Sequence, residues 1–292
     1  MGARAKTTGV PFTKLQGLGN DYLYIDRFSY TTEHDWNALA RQMAERHFGA
    51  GSDGLILVEP SDKADFRMRM FNSNGAEGDM CGNGLRCFAR YVYDKGLTRK
   101  TEFEVETRAG IMRPRVNLKD GVIESISADM GVPLFKRSEV PLAELEGPEP
   151  VLDLRVESGG QVFTGTALFL GNPHFVIFVD DVAAVELEKV GPGLESHPIF
   201  PRKANIEFIT VKSPTELDMR VWERGSGITL ACGTGACASV VAAILHGKAA
   251  RGTEVTVNLP GGPLRVEWRL DGRVWQTGPA VEVYSGVFLL QE

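Results

Sequence analysis

Two cysteines, Cys81 and Cys232, stand in the same local context 151 residues apart. The first closes the pattern F-R-M-R-M-F-N, eight residues, C-G-N-G; the second closes L-D-M-R-V-W-E, eight residues, C-G-T-G. After each thiol the apolar residues fall at helical spacing: Leu85, Phe88, Ala89 and Val92, then Ala236, Ser239, Val240, Ala243 and Ile244. Both helices are expected to stop at a glycine, at Lys95-Gly96 and His246-Gly247. Each thiol is therefore predicted at a helix N-terminus, where unpaired N–H groups and the positive end of the dipole favour a thiolate and bind a carboxylate. Two such thiols facing each other across a small cavity suit proton transfer at the α-carbon of an amino acid. One takes the proton, the other returns one to the opposite face, and the helix ends steady the charge that develops on the carboxylate. Cys87 and Cys237, one to two turns inside their helices, read as small buried packing residues.

The elements that must position these thiols also recur. Leu18-Gly19-Asn20 returns as Leu170-Gly171-Asn172, at an offset of 152, and Met68, Arg69 and Phe71 match Met219, Arg220 and Trp222. In the first half, strands are expected at 22–26, 55–59, 66–72, 101–107, 110–118 and 122–128, and a helix from near Glu33, where Trp36, Leu39, Ala40 and Met43 share one face. The second half repeats this order, with strands at 162–170, 175–179, 206–211, 217–223, 254–258 and 264–269, and a helix near 182–190. Residues 144–150 read as a linker or exposed loop, and residues 1–9 as a loose tail with no secretory signal.

The bulk numbers bound the partners. A chain of 292 residues, 43% apolar and 24% charged, suffices for two domains with separate cores. Its net charge of −6 argues against a nucleic-acid surface. No apolar run approaches the roughly 18–20 residues of a membrane-spanning helix. The cysteine spacings, six and five residues, do not match zinc knuckles, and a disulfide framework is not expected in so long a chain without a secretory signal. The expected compartment is the cytosol.

Taken together, L-G-N-D, R-H-F-G-A-G-S-D-G, F-N-S-N-G, C-G-N-G-L-R-C, G-N-P-H and E-R-G-S-G-x-T-x-A-C-G-T-G resemble the diaminopimelate epimerase family. The match runs from Gly17 to Ala280. The resemblance implies an α+β fold of two pseudosymmetric domains, each a curled, mostly antiparallel, barrel-like sheet around a central helix. The boundaries fall at 10–130, completed by a C-terminal strand within 280–292, and at 131–279. It implies epimerisation of LL-2,6-diaminopimelate to the meso form in lysine and peptidoglycan precursor synthesis, with no cofactor and no metal, and a homodimer with no nucleic-acid or membrane partner.

Residue by residue, the resemblance makes Cys81 and Cys232 the two catalytic bases. Gly82, Asn83, Gly233 and Thr234 surround the reacting carboxylate. Asn20 and Glu223 stand near the reacting amine. Asn72, Asn172, Asn205 and Arg224 read the distal centre, and His174 lies close to the catalytic pair. One position departs from part of the family: where some members carry a substrate-contacting glutamine, this chain has Gly54. A water or neighbouring group replaces that contact, or it is absent. Two other functions compete, a two-thiol racemase of a one-headed amino acid of the proline, hydroxyproline or histidine type, and a non-catalytic amino-acid-binding protein. Arg224 and the three asparagines speak against the first, and two retained thiols against the second.

Overall fold

The computed structural model describes residues 9–143 and 146–290. Nearly all of the expected tail, and Glu144 and Leu145 of the expected linker, lie outside the described residues. The chain separates by its internal contacts into two units, Met1–Ala128 with Pro279–Glu292, and Asp129–Gly278.

In the first unit, β1 (Gly9–Gly17) and β2 (Asn20–Asp26) pair antiparallel across a two-residue turn in which Leu18 and Gly19 both take positive φ, 58° and 84°. A turn of this hand matches strand twist and fixes register, setting Asn20 at the first position of β2. The chain crosses over through α1 (Trp36–Ala44) and enters β3 (Gly54–Glu59) parallel to β2. β4 (Phe66–Asn72) returns antiparallel, and β5 (Glu77–Gly78) folds back on its end. A second crossover, α2 (Gly82–Asp94), leads to β6 (Val105–Thr107), parallel to β4, and then to β7 (Gly110–Met112). β8 (Pro114–Lys119) and β9 (Val122–Asp129) form a further hairpin.

The second unit repeats the plan. β10 (Leu154–Ser158), β11 (Gln161–Phe169) and β12 (Pro173–Phe178) are antiparallel neighbours. α3 (Leu187–Glu195) carries the crossover to the parallel β13 (Asn205–Ser213), and β14 (Glu216–Glu223) returns antiparallel with the short β15 (Gly227–Ile228) on its end. α4 (Gly233–Leu245) leads to β16 (Glu254–Leu259), parallel to β14, followed by β17 (Gly262–Trp268) and β18 (Val274–Gly278). The last strand, β19 (Val281–Leu289), pairs with β1 at the edge of the first unit's sheet. In both units the parallel pairs, β2 with β3, β4 with β6, β12 with β13 and β14 with β16, occur where a helix makes the crossover. The strand paths do not close on themselves, so the sheets are not strict barrels.

α1 and α3 lay one apolar face on their sheets. Trp36, Leu39 and Met43 pack with Val10, Leu23, Leu55 and Phe71, and Leu187 and Leu194 with Val156, Phe175 and Phe208. α2 and α4 are buried far more completely. Ala236 to Ala243 is entirely buried, as expected of a helix that is apolar nearly all round. Each large side chain buried in this way contributes roughly 1.5–3 kcal/mol, so these helix starts are held by their bodies.

Three expectations are corrected. α1 begins at Trp36, not near Glu33, because Asp35 caps it by accepting from the Ala38 N–H at 3.0 Å, while Glu33 accepts from Trp36 Nε1 at 3.3 Å. The expected strand at 101–107 keeps only Val105–Thr107, since the Glu104 N–H goes to Asp65 Oδ2 at 2.9 Å, and the run from 110 to 118 is split at Arg113, just before Pro114, which opens the second strand and has no N–H to give. The expected helix at 182–190 is instead a 3-10 turn, Val182–Ala184, followed by α3. Arg220 Nη1 takes the Val182 and Val185 carbonyls, each at 3.0 Å, so the turn does not continue.

Candidate active site

Both motif cysteines are N-caps. Cys81 has extended backbone and its sulfur accepts from the Gly84 N–H at 3.4 Å; Cys232 does the same with the Gly235 N–H at 3.3 Å. This places sulfur where a serine or aspartate cap usually sits. The second glycine of each motif sits in a tight space that a side chain could enter only by displacing its neighbours. A Cβ on Gly84 would stand 2.9 Å from Ile56 Cδ1, and one on Gly235 would stand 2.7 Å from Glu207 Oε1 and 3.1 Å from the Cys232 sulfur. Both helices end as expected, at C-caps Lys95 and His246, each followed by a glycine in the left-handed region, φ 72° at Gly96 and 67° at Gly247.

In the first unit, Cys81 donates its thiol proton to Asn20 Oδ1 at 3.3 Å. Asn20 Nδ2 donates to Asp53 Oδ2 at 2.7 Å, which fixes the amide so that its oxygen faces the thiol, and Arg46 holds Asp53 Oδ1 at 2.8 Å. Gly82 and Asn83 form the first turn of α2, and Asn83 Oδ1 accepts from the buried Arg86 at 2.8 Å. Asn72 ends β4, in register with Gly54.

In the second unit, Cys232 is 5% exposed, with the Thr234 hydroxyl 3.5 Å from its sulfur. Glu223, at the end of β14, hydrogen-bonds the Thr229 hydroxyl and stands close enough to Cys232 for a hydrogen bond. Burial raises the Glu223 pKa above the ordinary carboxylate value. His174 on β12 is buried between two oxygens, with Nδ1 2.7 Å from Glu207 Oε1 and Nε2 2.6 Å from Asn172 Oδ1. Asn205 is a clamp: its Nδ2 donates to the Pro173 carbonyl at 3.1 Å and its Oδ1 accepts from the Arg224 N–H at 2.9 Å. The Arg224 guanidinium is exposed and donates to the Arg202 carbonyl at 3.2 Å, with no ion pair among the described residues.

The expectation that a helix N-terminus lowers its thiol's pKa fails at Cys232. Burial pushes this thiol well above its ordinary value, and the nearby carboxylates of Glu223 and Glu207 push the same way. Thr234 and the Gly235 N–H pull in the opposite direction and lose. Burial and the two carboxylates accordingly favour the neutral, proton-bearing form of Cys232. Cys87 and Cys237 are buried packing residues, as expected, and burial takes the Cys87 thiol to about 12.

Two residues escape sequence reasoning. Glu207, fully buried, is the lone carboxylate in the apolar run Ile206-Glu207-Phe208-Ile209 and the partner of His174. Tyr22 is buried opposite Gly54, and burial, then the charge of the Cys81 sulfur, raises its phenol pKa well above the ordinary value. The signal for both was the repeat itself, since Tyr22 holds the place of His174 at the 152-residue offset and Ile56 that of Glu207 at 151. No group of residues able to hold a metal ion occurs among the described residues, and no helix there is long and apolar enough to cross a membrane.

The sequence profile of the family described as diaminopimelate epimerase matches residues 12–135 and 166–283. The chain is 52% identical over 278 residues to a protein of Desulfitobacterium hafniense named diaminopimelate epimerase, covering 94% of this chain and 97% of that one. It is 50% identical over 280 residues to its namesake in Moorella thermoacetica, covering 96% and 99%. Among solved structures, a hydroxyproline epimerase from Agrobacterium vitis with bound trans-4-hydroxy-L-proline superposes with a TM-score of 0.69 at 15% identity, covering 99% of this chain and 95% of that one. A phenazine biosynthesis protein from Bacillus anthracis superposes with the same score at 19% identity, covering 97% and 100%. These two share the α+β fold of two sheet-rich domains. With thiol caps in both halves, the epimerase profile across both, and half of all residues identical to curated relatives, the chain belongs to the diaminopimelate epimerase family.

Proposed function

We propose that this protein epimerises LL-2,6-diaminopimelate to the meso isomer, in lysine and peptidoglycan precursor synthesis, with Cys81 and Cys232 as the two proton-transfer groups and each unit supplying one half of the enzyme. The observation that carries the reading is the pair of cysteine caps, each placed identically at the start of a buried helix. In one direction the Cys81 sulfur takes the α-proton as the C–H bond breaks. The Cys232 S–H, the form its burial favours, gives its proton to the opposite face as the new C–H bond forms. In the reverse direction the roles exchange. Backbone N–H groups at Gly82, Asn83, Gly233 and Thr234 hold the reacting carboxylate, whose charge grows as the proton leaves. Asn20 and Glu223 orient the amine. Arg224, with its exposed guanidinium, and Asn72, Asn172 and Asn205 take the distal centre, and His174 supports Asn172.

The reaction needs no cofactor. The four cysteines are free thiols, which suits the cytosol. β19 supports a homodimer: it is an edge strand whose Val281, Val283, Tyr284, Val287 and Leu289 are exposed, and such an edge is a template for a second copy. The test of function is chiral chromatography of LL-diaminopimelate incubated with the pure, reduced protein and nothing else. Approach to a mixture with the meso isomer is expected. Inert diaminopimelate alongside turnover of proline or hydroxyproline would transfer the reading to a one-headed racemase.

A further inference from the structure

Arg224 stands on a glycine-rich turn. β14 ends at Glu223 and β15 begins at Gly227, and Gly225 and Gly227 both take the left-handed region, φ 78° and 74°. Glycines leave such a turn free to move, and two side chains hold it. Asn205 Oδ1 accepts from the Arg224 N–H at 2.9 Å, and Glu195 Oε1 accepts from the Gly225 N–H at 3.1 Å. Glu195 is the last residue of α3 and is 7% exposed. Its Oε2 accepts from Trp222 Nε1 at 2.8 Å, and Lys203 Nζ donates to Oε1 at 3.1 Å. Gly191, one turn earlier on the same face of α3, lets the indole lie against the helix, since a Cβ there would stand 2.4 Å from Trp222 Cδ2.

We propose that Glu195 is a positioning residue for Arg224, anchoring through the Gly225 N–H the turn from which the guanidinium reaches the distal carboxylate of the substrate. The inference rests on the proposed role of Arg224 at the distal centre. A long side chain on a loose turn loses freedom when it binds, whereas a turn fixed in advance has already lost it. A carboxylate suits this task. Ionised, it only accepts, and its two oxygens take an indole, an ammonium and a backbone N–H together. Burial opposes the ionised form, but the donors Trp222, Lys203 and Gly225 outweigh it, so the Glu195 carboxyl lies below its ordinary pKa. The first half of the chain is an internal comparison. At the 151-residue offset Ala44, the last residue of α1, holds the place of Glu195, Phe71 that of Trp222, and Ser73 that of Arg224. There the Ser73 N–H goes to the Asp53 carbonyl at 2.9 Å. The half without the arginine has neither the carboxylate nor the indole at these places.

The test is Glu195→Gln, which keeps the size and removes one acceptor oxygen. An amide cannot accept from the indole at one end and from Gly225 at the other. Glu195→Asp, which keeps the charge and withdraws it by one methylene, is measured beside it in case the first variant folds poorly. The first readout needs no substrate: hydrogen exchange at the Gly225 amide, followed by nuclear magnetic resonance, with the α2 amides as internal reference. Exchange at Gly225 is expected to quicken roughly tenfold with α2 unchanged, the lower range for losing a hydrogen bond to a charged group. KM for diaminopimelate should rise by a similar factor of roughly ten with kcat changed less than about threefold, the pattern of lost substrate binding. In an Arg224→Ala background the same change at position 195 should move KM by less than about threefold, because the group it positions is gone. Unchanged exchange at Gly225 overturns the proposal, and so does an equal rise in KM in both backgrounds, which would show Glu195 acting through the fold and not through Arg224. A parent protein inert toward diaminopimelate would count against the function, and exchange at Gly225 would still decide whether Glu195 anchors the turn.

Discussion

Burial raises the Cys232 thiol pKa, and two carboxylates inside the second unit push it the same way. Glu223 is the nearer in effect, the largest cause after burial of the raised thiol value. Glu223→Gln removes that negative charge while keeping the size, so the Cys232 thiolate becomes more accessible at a fixed pH. Alkylation of Cys232 at pH 8 is expected to rise at least about threefold in this variant, because a lowered thiol pKa enlarges the thiolate fraction. Epimerisation should fall, because the amine loses its partner. An alkylation rate equal to or below that of the parent would show that burial alone holds the proton on Cys232. The two cysteines were legible in the sequence because a nucleophile followed by small residues at a helix start recurs at one offset. Glu207 was not, because its partner His174 is 33 residues away and meets it only through the parallel register of β12 and β13. Asn205, read as a contact to the distal centre, also has its amide held by Pro173 and Arg224, a geometry no sequence pattern announces.

At the scale of elements, α2 and α4 are the parts the sequence specifies most fully: a cap, a spaced apolar face and a terminal glycine agree within each 13-residue helix. The strands β1, β10 and β18 were harder to see. β1 is interrupted by Pro11 and Lys14, and β10 and β18 span five residues each, too short for alternation to stand out. The burial of α2 has a consequence for stability. Burial raises the Cys87 thiol from 9.0 to about 12. Above pH 9 an unfolded chain gives up this proton while the folded one keeps it. The stabilisation is therefore complete below about pH 9 and is lost as pH rises toward about 12, by at most about 1.4 kcal/mol per pH unit. Tyr22 and Tyr24, also raised by burial, act in the same direction, and the part of the Tyr24 rise that comes from Cys87 goes with it in a Cys87 variant. Cys87→Ala lowers stability at pH 8 by leaving a cavity, and the gap from the parent should narrow by about 2 kcal/mol between pH 8 and pH 10.5. Urea denaturation at the two pH values checks this, and a constant gap would place the Cys87 titration outside the folding equilibrium.

At the scale of the whole molecule, the repeat in the sequence and the repeat of strand order give each unit one buried helix and one thiol cap, while the last strand, β19, joins the first unit through β1. Val287 on β19 is 60% exposed, and Val287→Asp places a charge on the proposed dimer edge without touching the core. Sedimentation should then show a monomer where the parent sediments as a dimer, and an unchanged mass would assign the dimer to another face. In the proposed reaction two groups, not one, handle the proton. The measurement is to incubate LL-diaminopimelate with the protein in deuterated water, separate the isomers at early times and weigh each. A two-thiol enzyme takes the substrate's proton on one sulfur and delivers deuterium from the other. Nearly every early meso molecule should then carry one solvent deuterium while the remaining LL pool stays protiated, with the mirror result from the meso side. Early meso product that retains the original proton would contradict the account, because a single group would then have carried that proton from one face to the other.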